Sequence, residues 1–154
     1  MNTIFFIATM SVLVLIANID YKNKEIETWL SVFFFLLSFL STILVLGADN
    51  LFLAVGMYGS IFMLGYFVYA LNIIGGADVW ALSGAFGQMG VLYVLAELTH
   101  VYYLIAVGFL MGYAFTIYGV TEWIYSRKNT TERRPAFIPY ITVCYLAMLV
   151  YALA

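Results

Sequence analysis

Charged residues are scarce in this 154-residue chain, where they make up 9% of the sequence, while hydrophobic residues make up 66%. A soluble domain of this size cannot hide so much apolar surface in its interior, whereas a lipid bilayer accepts it directly. The net charge of −2 provides no basic surface for nucleic acid. The composition therefore predicts an integral membrane protein that contacts membrane lipid, and it argues against a nucleic-acid partner.

Cysteine and histidine are nearly absent, with one residue of each. Cys144 alone cannot form an intrachain disulfide or a C-x-x-C metal site. The ELTH run at 97–100 has the E-x-x-H spacing of carboxylate metal sites, but such sites need further ligands, and a solvated turn is the simpler interpretation. We therefore expect no metal and no cofactor. No basic residue precedes the apolar stretch 1–19, which predicts a retained helix and not a cleaved signal peptide.

Six apolar segments are long enough to cross a bilayer as helices, which takes roughly 20 residues each. Polar turns or loops separate them, and the chain has no internal repeat or separate soluble segment. Residues 1–154 are therefore predicted to form one all-α membrane domain of six transmembrane helices. The predicted spans are 2–19, 29–47, 51–73, 79–96, 101–123 and 137–154.

The basic residues are confined to two loops, 20–28 and 124–136. Six helices place both loops on one side of the membrane, together with the 74–78 connection. The opposite turns, at 48–50 and 97–100, carry no Lys or Arg. Because Lys and Arg concentrate in cytoplasmic loops, we predict that the basic loops are cytoplasmic and that both termini lie outside.

Two aspartates, Asp20 and Asp78, stand at the cytoplasmic edge of the first and fourth predicted spans. An ionisable group at such an edge is costly unless it is paired, solvated or used. Two neighbouring carboxyls share one proton, so that one activates water while the other polarises a carbonyl group. A solvated helix end at Asp20 and a capped turn before Asp78 remain open alternatives. So does a small cation- or proton-coupled transporter or channel subunit, although transporters usually hold such acids near the midplane.

Three segments resemble motifs of the GxGD membrane aspartyl peptidases. The run DYKNKEIETWL at 20–30 is similar to the segment that holds the first catalytic aspartate in type IV prepilin peptidases. The run GGAD at 75–78 is similar to the second motif, GxGD, and RPAFIP at 134–139 resembles the start of the last helix in archaeal members. Together with the six spans, the resemblance covers nearly the whole chain, and it points to the archaeal preflagellin and prepilin peptidases.

This resemblance implies an aspartyl endopeptidase at the cytoplasmic face of the cell membrane. Its partners would be prepilin or archaellin-type precursors, in which a short basic leader precedes a hydrophobic helix. A catalytically inactive member that serves as an assembly scaffold is a further alternative. The implied catalytic residues are Asp20 and Asp78, and those near the substrate are Lys22, Ile26, Gly75, Gly76, Ala77, Pro135 and Pro139. The acidic residues that would attract the leader, or only balance neighbouring basic residues, are Glu25, Glu27, Glu122 and Glu132.

The chain departs from the family pattern close to both motifs. Ala77 replaces the second glycine of GxGD, Glu27 and Thr28 replace the usual proline and the residue after it, and Trp80 stands where a lysine often follows. These departures leave both aspartates in place and bear mainly on substrate preference. The single cysteine offers no counterpart of the zinc-binding insertion of the bacterial enzymes, and nothing predicts their methyltransferase activity.

Three glycines, Gly84, Gly87 and Gly90, recur along the fourth predicted span. They would suit a mobile route for a helical substrate. Ordinary close packing between helices is the simpler interpretation.

Overall fold

In a computed structural model, the described residues are 2–23, 26–71, 74–95, 117–119, 121, 124 and 136–153. Nearly all of them are helical, and the predicted all-α class is confirmed for this part of the chain. A 3₁₀ turn at Ala48–Asn50 joins the second helix to the third. The α-helices are α1 (Asn2–Asn23), α2 (Thr28–Leu46), α3 (Leu51–Ala70), α4 (Gly76–Leu95) and α5 (Ile138–Leu153).

The helix boundaries follow the predicted spans, with two shifts at the candidate site. α1 continues past 19 to Asn23, so that Asp20 lies inside the helix and not after it. α4 begins at Gly76 and not at 79, so that Asp78 lies in its first turn. The 97–100 turn, most of the fifth predicted span and the basic residues of the 124–136 loop lie outside the described residues.

Helix α4 is the central helix of the described structure. It packs against α2, α3 and α5, and every residue from 81 to 90 is buried. It runs parallel to α2, because Ser38 Oγ donates to the Gly84 carbonyl at 2.6 Å and Gln88 Nε2 donates to Ser41 Oγ at 2.9 Å. The starts of α2 and α4 therefore lie at the same end of the bundle.

Two glycines of α4 allow this close approach. A Cβ atom at Gly84 would lie 2.7 Å from Cε1 of Phe34, and one at Gly87 would lie 2.6 Å from Cδ1 of Tyr58. Cβ atoms do not make contacts that short, so the packing role expected of both glycines is confirmed. Gly90 is buried on the same helix.

A hydrogen-bonded network links four helices in the interior. The Tyr58 hydroxyl of α3 lies 2.8 Å from Ser38 Oγ and 2.7 Å from Thr42 Oγ1 on α2. The Tyr145 hydroxyl of α5 donates to Gln88 Oε1 of α4 at 2.7 Å. Hydrogen bonds between helices in apolar surroundings contribute about 0.6–2 kcal/mol each. The network therefore helps to fix α2 and α4 relative to each other.

The polarity of α2 is inverted relative to a helix of a soluble protein. Its buried polar residues are Ser31, Ser38, Ser41 and Thr42. Its exposed large apolar residues include Phe33, Leu36, Leu40 and Leu44. A hydrocarbon solvent favours this arrangement, because apolar side chains can face it while hydroxyl groups find partners inside. Within the described part of the chain, two helical stretches are long and apolar enough to cross a membrane, namely Thr28–Leu46 and Ala48–Ala70, the latter being the 3₁₀ turn together with α3.

Candidate active site

Asp20 has a buried carboxyl group that is hydrogen-bonded to the start of a helix far away in the sequence. It lies in the last turn of α1 with 5% of its surface exposed. Its Oδ2 accepts a hydrogen bond of 3.0 Å from the backbone N–H of Ile138, the first residue of α5. The first N–H groups of a helix have no partner within the helix, and the positive end of the helix dipole favours an anion there. The start of α5 therefore positions the carboxyl and favours its ionised form.

Asp78 holds a corresponding place at the start of α4. Its Oδ2 accepts a hydrogen bond of 2.8 Å from the Gly75 N–H, and its own N–H donates to the Gly75 carbonyl at 3.2 Å. In a capping box, a side chain in the first turn reaches back in this way to the N–H that precedes the helix. A Cβ atom at Gly75 would lie only 3.2 Å from that Oδ2, so glycine suits the position. The capped turn that the sequence allowed is confirmed, and it fixes the direction of the carboxyl.

Both aspartates line one cavity with a volume of about 350 Å³. Besides Asp20 it is bounded by Ile26 and Thr28 at the start of α2 and by residues 75–78 at the start of α4. A water molecule occupies about 30 Å³ in the liquid, so the cavity has room for water together with a short stretch of peptide. The structure thus brings together the two predicted catalytic residues and four of the residues predicted near the substrate, namely Ile26, Gly75, Gly76 and Ala77.

The surroundings of Asp78 favour a shared proton. Burial raises the pKa of Asp78 to about 7, from an ordinary value of 3.8. The Gly75 N–H lowers this pKa and the negative charge of Asp20 raises it, and burial is the largest of the three effects. Asp78 precedes the fourth predicted span, 79–96. The raised pKa favours the protonated form of Asp78 more than that of an exposed aspartate.

Three other predicted residues lie at the edge of the site or outside the described part. Lys22 is exposed in the last turn of α1. Pro139 lies in the first turn of α5, where proline is tolerated because the N–H has no partner in the helix. Pro135 lies outside the described residues.

The departures from the family pattern fall into two groups. Ala77 and Thr28 line the cavity. Glu27 is exposed just before α2. The ring of Trp80 packs edge-on against Phe35 of α2, with the ring centres 5.2 Å apart, and it therefore serves the helix interface.

One contributor to the site was missed by sequence reasoning. Ile138 holds Asp20 through its main-chain N–H, so no side-chain pattern reveals it. The only signal was the RPAFIP run, which marks the start of the last helix.

The described residues contain no group of three or more His, Cys, Asp or Glu side chains that would hold a metal ion. No protein-family model matches the chain, and no curated protein or solved structure matches it either. The geometry of Asp20 and Asp78 is thus the main support for a functional proposal.

Proposed function

We propose that this protein is a membrane-embedded aspartyl endopeptidase with Asp20 and Asp78 as its catalytic dyad. The observation that carries the proposal is the cavity that both carboxyls line, although they come from separate helices. Helix capping alone does not require this, because each cap needs only its own helix start. Two carboxyls with one shared proton are the reacting groups of aspartyl peptidases.

In the proposed reaction, one carboxyl is ionised and the other is protonated. The ionised carboxylate takes a proton from water, and the water oxygen attacks the carbonyl carbon of the peptide bond. The protonated carboxyl passes its proton to the carbonyl oxygen, which neutralises the developing charge. The C–N bond then breaks as the amide nitrogen receives the proton that the first carboxyl took up, and a hydroxyl group of the intermediate returns its proton to the second carboxyl, which restores the dyad.

The environments of the two carboxyls support a division of the acid and base roles between them. Asp78 is the protonated partner, since burial raises its pKa to about 7. Asp20 is the base, since it accepts the Ile138 N–H at the positive end of α5. Groups whose surroundings push their pKa values apart commonly divide the acid and base roles in this way.

The proposal also includes six membrane spans, both termini outside and the dyad at the cytoplasmic face of the cell membrane. The confinement of Lys and Arg to the two loops at 20–28 and 124–136 supports this orientation. The resemblance to the prepilin and preflagellin peptidases supports precursors with a basic leader and a hydrophobic helix as substrates. A cavity formed by helix ends suits a cut where such a leader meets its helix.

A proton- or cation-coupled transporter or channel subunit is the second candidate. The observation that favours it is the interior network of Ser38, Tyr58, Gln88 and Tyr145, which carries hydrogen-bonding groups further along the bundle from the dyad. Against it, both acids lie at helix ends, whereas transporters usually place such groups near the midplane.

Incubation of the purified protein with candidate precursors tests the peptidase proposal. We expect one new N-terminus, located directly after the leader and identified by sequencing, and no cleavage in precursor incubated alone. Ion flux into reconstituted vesicles without any cleavage would favour the transporter. The absence of both cleavage and ion flux would favour the catalytically inactive scaffold.

A further inference from the structure

One buried hydroxyl group is without a hydrogen-bond partner among the described residues. Ser31, near the start of α2, has 0% of its surface exposed. Its Oγ makes no hydrogen bond to any described group. Burying a hydroxyl without a partner is unfavourable, and such groups usually bind an ordered water or serve a function. Ser31 therefore calls for an explanation.

The other buried hydroxyls of α2 are all bonded. Ser38 donates to a carbonyl of α4, and Ser41 accepts a hydrogen bond from Gln88 and donates to the Ser38 carbonyl. Thr42 donates to the Ser38 carbonyl and contacts a tyrosine hydroxyl of α3. Ser31 thus differs from its neighbours along the same helix, and it is the one nearest the candidate site.

The parallel pairing of α2 and α4 places Ser31 level with the dyad cavity. Two hydrogen bonds between these helices join residues that are 46 and 47 positions apart. The same offsets, applied to Ser31, lead to Ala77 and Asp78. Thr28, three residues before Ser31 on α2, lines the cavity itself.

We propose that Ser31 is a positioning residue for the dyad, whose hydroxyl donates a hydrogen bond to the carboxyl of Asp78 once that carboxyl is ionised. Its role in cleavage rests on the proposed peptidase function. When Asp78 has passed its proton to the substrate, the Ser31 hydroxyl stabilises the resulting carboxylate by donating a hydrogen bond to it. Among the described residues, the other titratable groups at the helix ends around this point include Asp20, Tyr21, Lys22, Glu27, Tyr69 and Tyr140.

Titration of the aspartates tests this link without any cleavage assay. The chain contains only three aspartates, Asp20, Asp49 and Asp78. Carbon-13 labelling of their carboxyls gives three NMR signals, which Asn substitutions assign. In Ser31→Ala, the apparent pKa of Asp78 should rise by up to about one pH unit, because a hydrogen bond to the charged form is lost. Ser31→Thr keeps the hydroxyl and should restore the titration of the wild type.

Ser41→Ala is the matched control, since it also removes one buried hydroxyl from α2. It leaves the Gln88 amide without its acceptor, so it should lower the melting temperature and leave the Asp78 titration unchanged. Ser31→Ala should change the melting temperature less, because its hydroxyl has no protein partner among the described residues.

The pH profile of precursor cleavage gives a second readout. In Ser31→Ala, the alkaline limb of the profile should move to higher pH. The value of kcat should fall, while KM stays near its wild-type value. An Asp78 titration and a cleavage profile that both match the wild type would overturn the inference. A shifted titration in a protein that cleaves no precursor would support the Ser31 link and refute the peptidase, so the two failures are distinguishable.

Discussion

Each of the two aspartates accepts a backbone N–H at the start of a helix, Asp20 from Ile138 and Asp78 from Gly75. In both cases Oδ2 is the acceptor. Capping and catalysis are compatible, because a carboxylate has two oxygens with several lone-pair sites. The caps fix the directions of the carboxyl groups. In the proposed reaction, the carboxylate that accepts a proton from water is therefore already oriented before the water binds.

The Asp20 cap predicts different effects for two substitutions. Asp20→Ala leaves the buried Ile138 N–H without its acceptor, which should cost about 1–3 kcal/mol of stability. Asp20→Asn keeps an acceptor oxygen and should cost less. Thermal unfolding of both variants in the same detergent checks this order. Equal stability of the two variants would contradict the role given to this hydrogen bond.

The raised pKa of Asp78 predicts a pH-dependent stability. Since the pKa of about 7 lies above the ordinary 3.8, the folded protein binds this proton more tightly than the unfolded chain. The resulting stability is fully present below about pH 4 and is lost as the pH rises to about 7. Asn cannot ionise and does not lose this stability. The melting temperature of Asp78→Asn, taken relative to that of the wild type, should therefore be higher at pH 8 than at pH 4.5.

Asp49→Asn serves as the control for that comparison, because Asp49 is an exposed aspartate in the 48–50 turn. It should show a smaller change between the two pH values. A difference in melting temperature between Asp78→Asn and the wild type that is the same at both pH values would count against a partly buried, proton-sharing carboxyl at Asp78.

At the scale of helices, the sequence predicted which of the described segments are helical, but it misplaced the end of α1 and the start of α4. Long apolar runs separated by polar turns make the existence of a span evident. The extra turn of α1 carries polar residues, and it is Asp20 within that turn that bonds to α5. Such a contact between residues far apart in sequence has no local signal. The capped turn at Asp78 was easier to predict from the sequence, because its partner Gly75 lies only three residues earlier in the chain.

The close packing of α4 predicts that its glycines are sensitive to substitution. Gly84→Ala and Gly87→Ala each place a methyl group within 3 Å of an aromatic ring, which should cost about 1–3 kcal/mol. Gly56→Ala in α3 is the matched control, because no atom lies within 4 Å of its added Cβ. It should be neutral or stabilising, since alanine favours helices more than glycine does. Similar melting temperatures for all three would contradict the packing.

For the molecule as a whole, the inverted polarity of α2 favours a membrane environment. The confinement of basic residues to two loops favours one orientation in that membrane. Single cysteines introduced at Asn23 and Thr130 in a Cys144→Ala background should resist a membrane-impermeant reagent added to intact cells. A cysteine at Asn50, in the opposite turn, should react. Labelling of positions 23 and 130 from outside would refute both the topology and a dyad at the cytoplasmic face.

Cleavage of a precursor by Asp20→Asn and Asp78→Asn tests the central claim most directly. Asparagine keeps the size and hydrogen bonding of aspartate but can neither share the proton nor act as the base. Each variant should stay folded and lose cleavage by at least about a hundredfold, and the double variant should be little worse, because the two carboxyls act as a unit. Cleavage at the wild-type rate by either single variant, with the same product N-terminus, would contradict the aspartyl dyad.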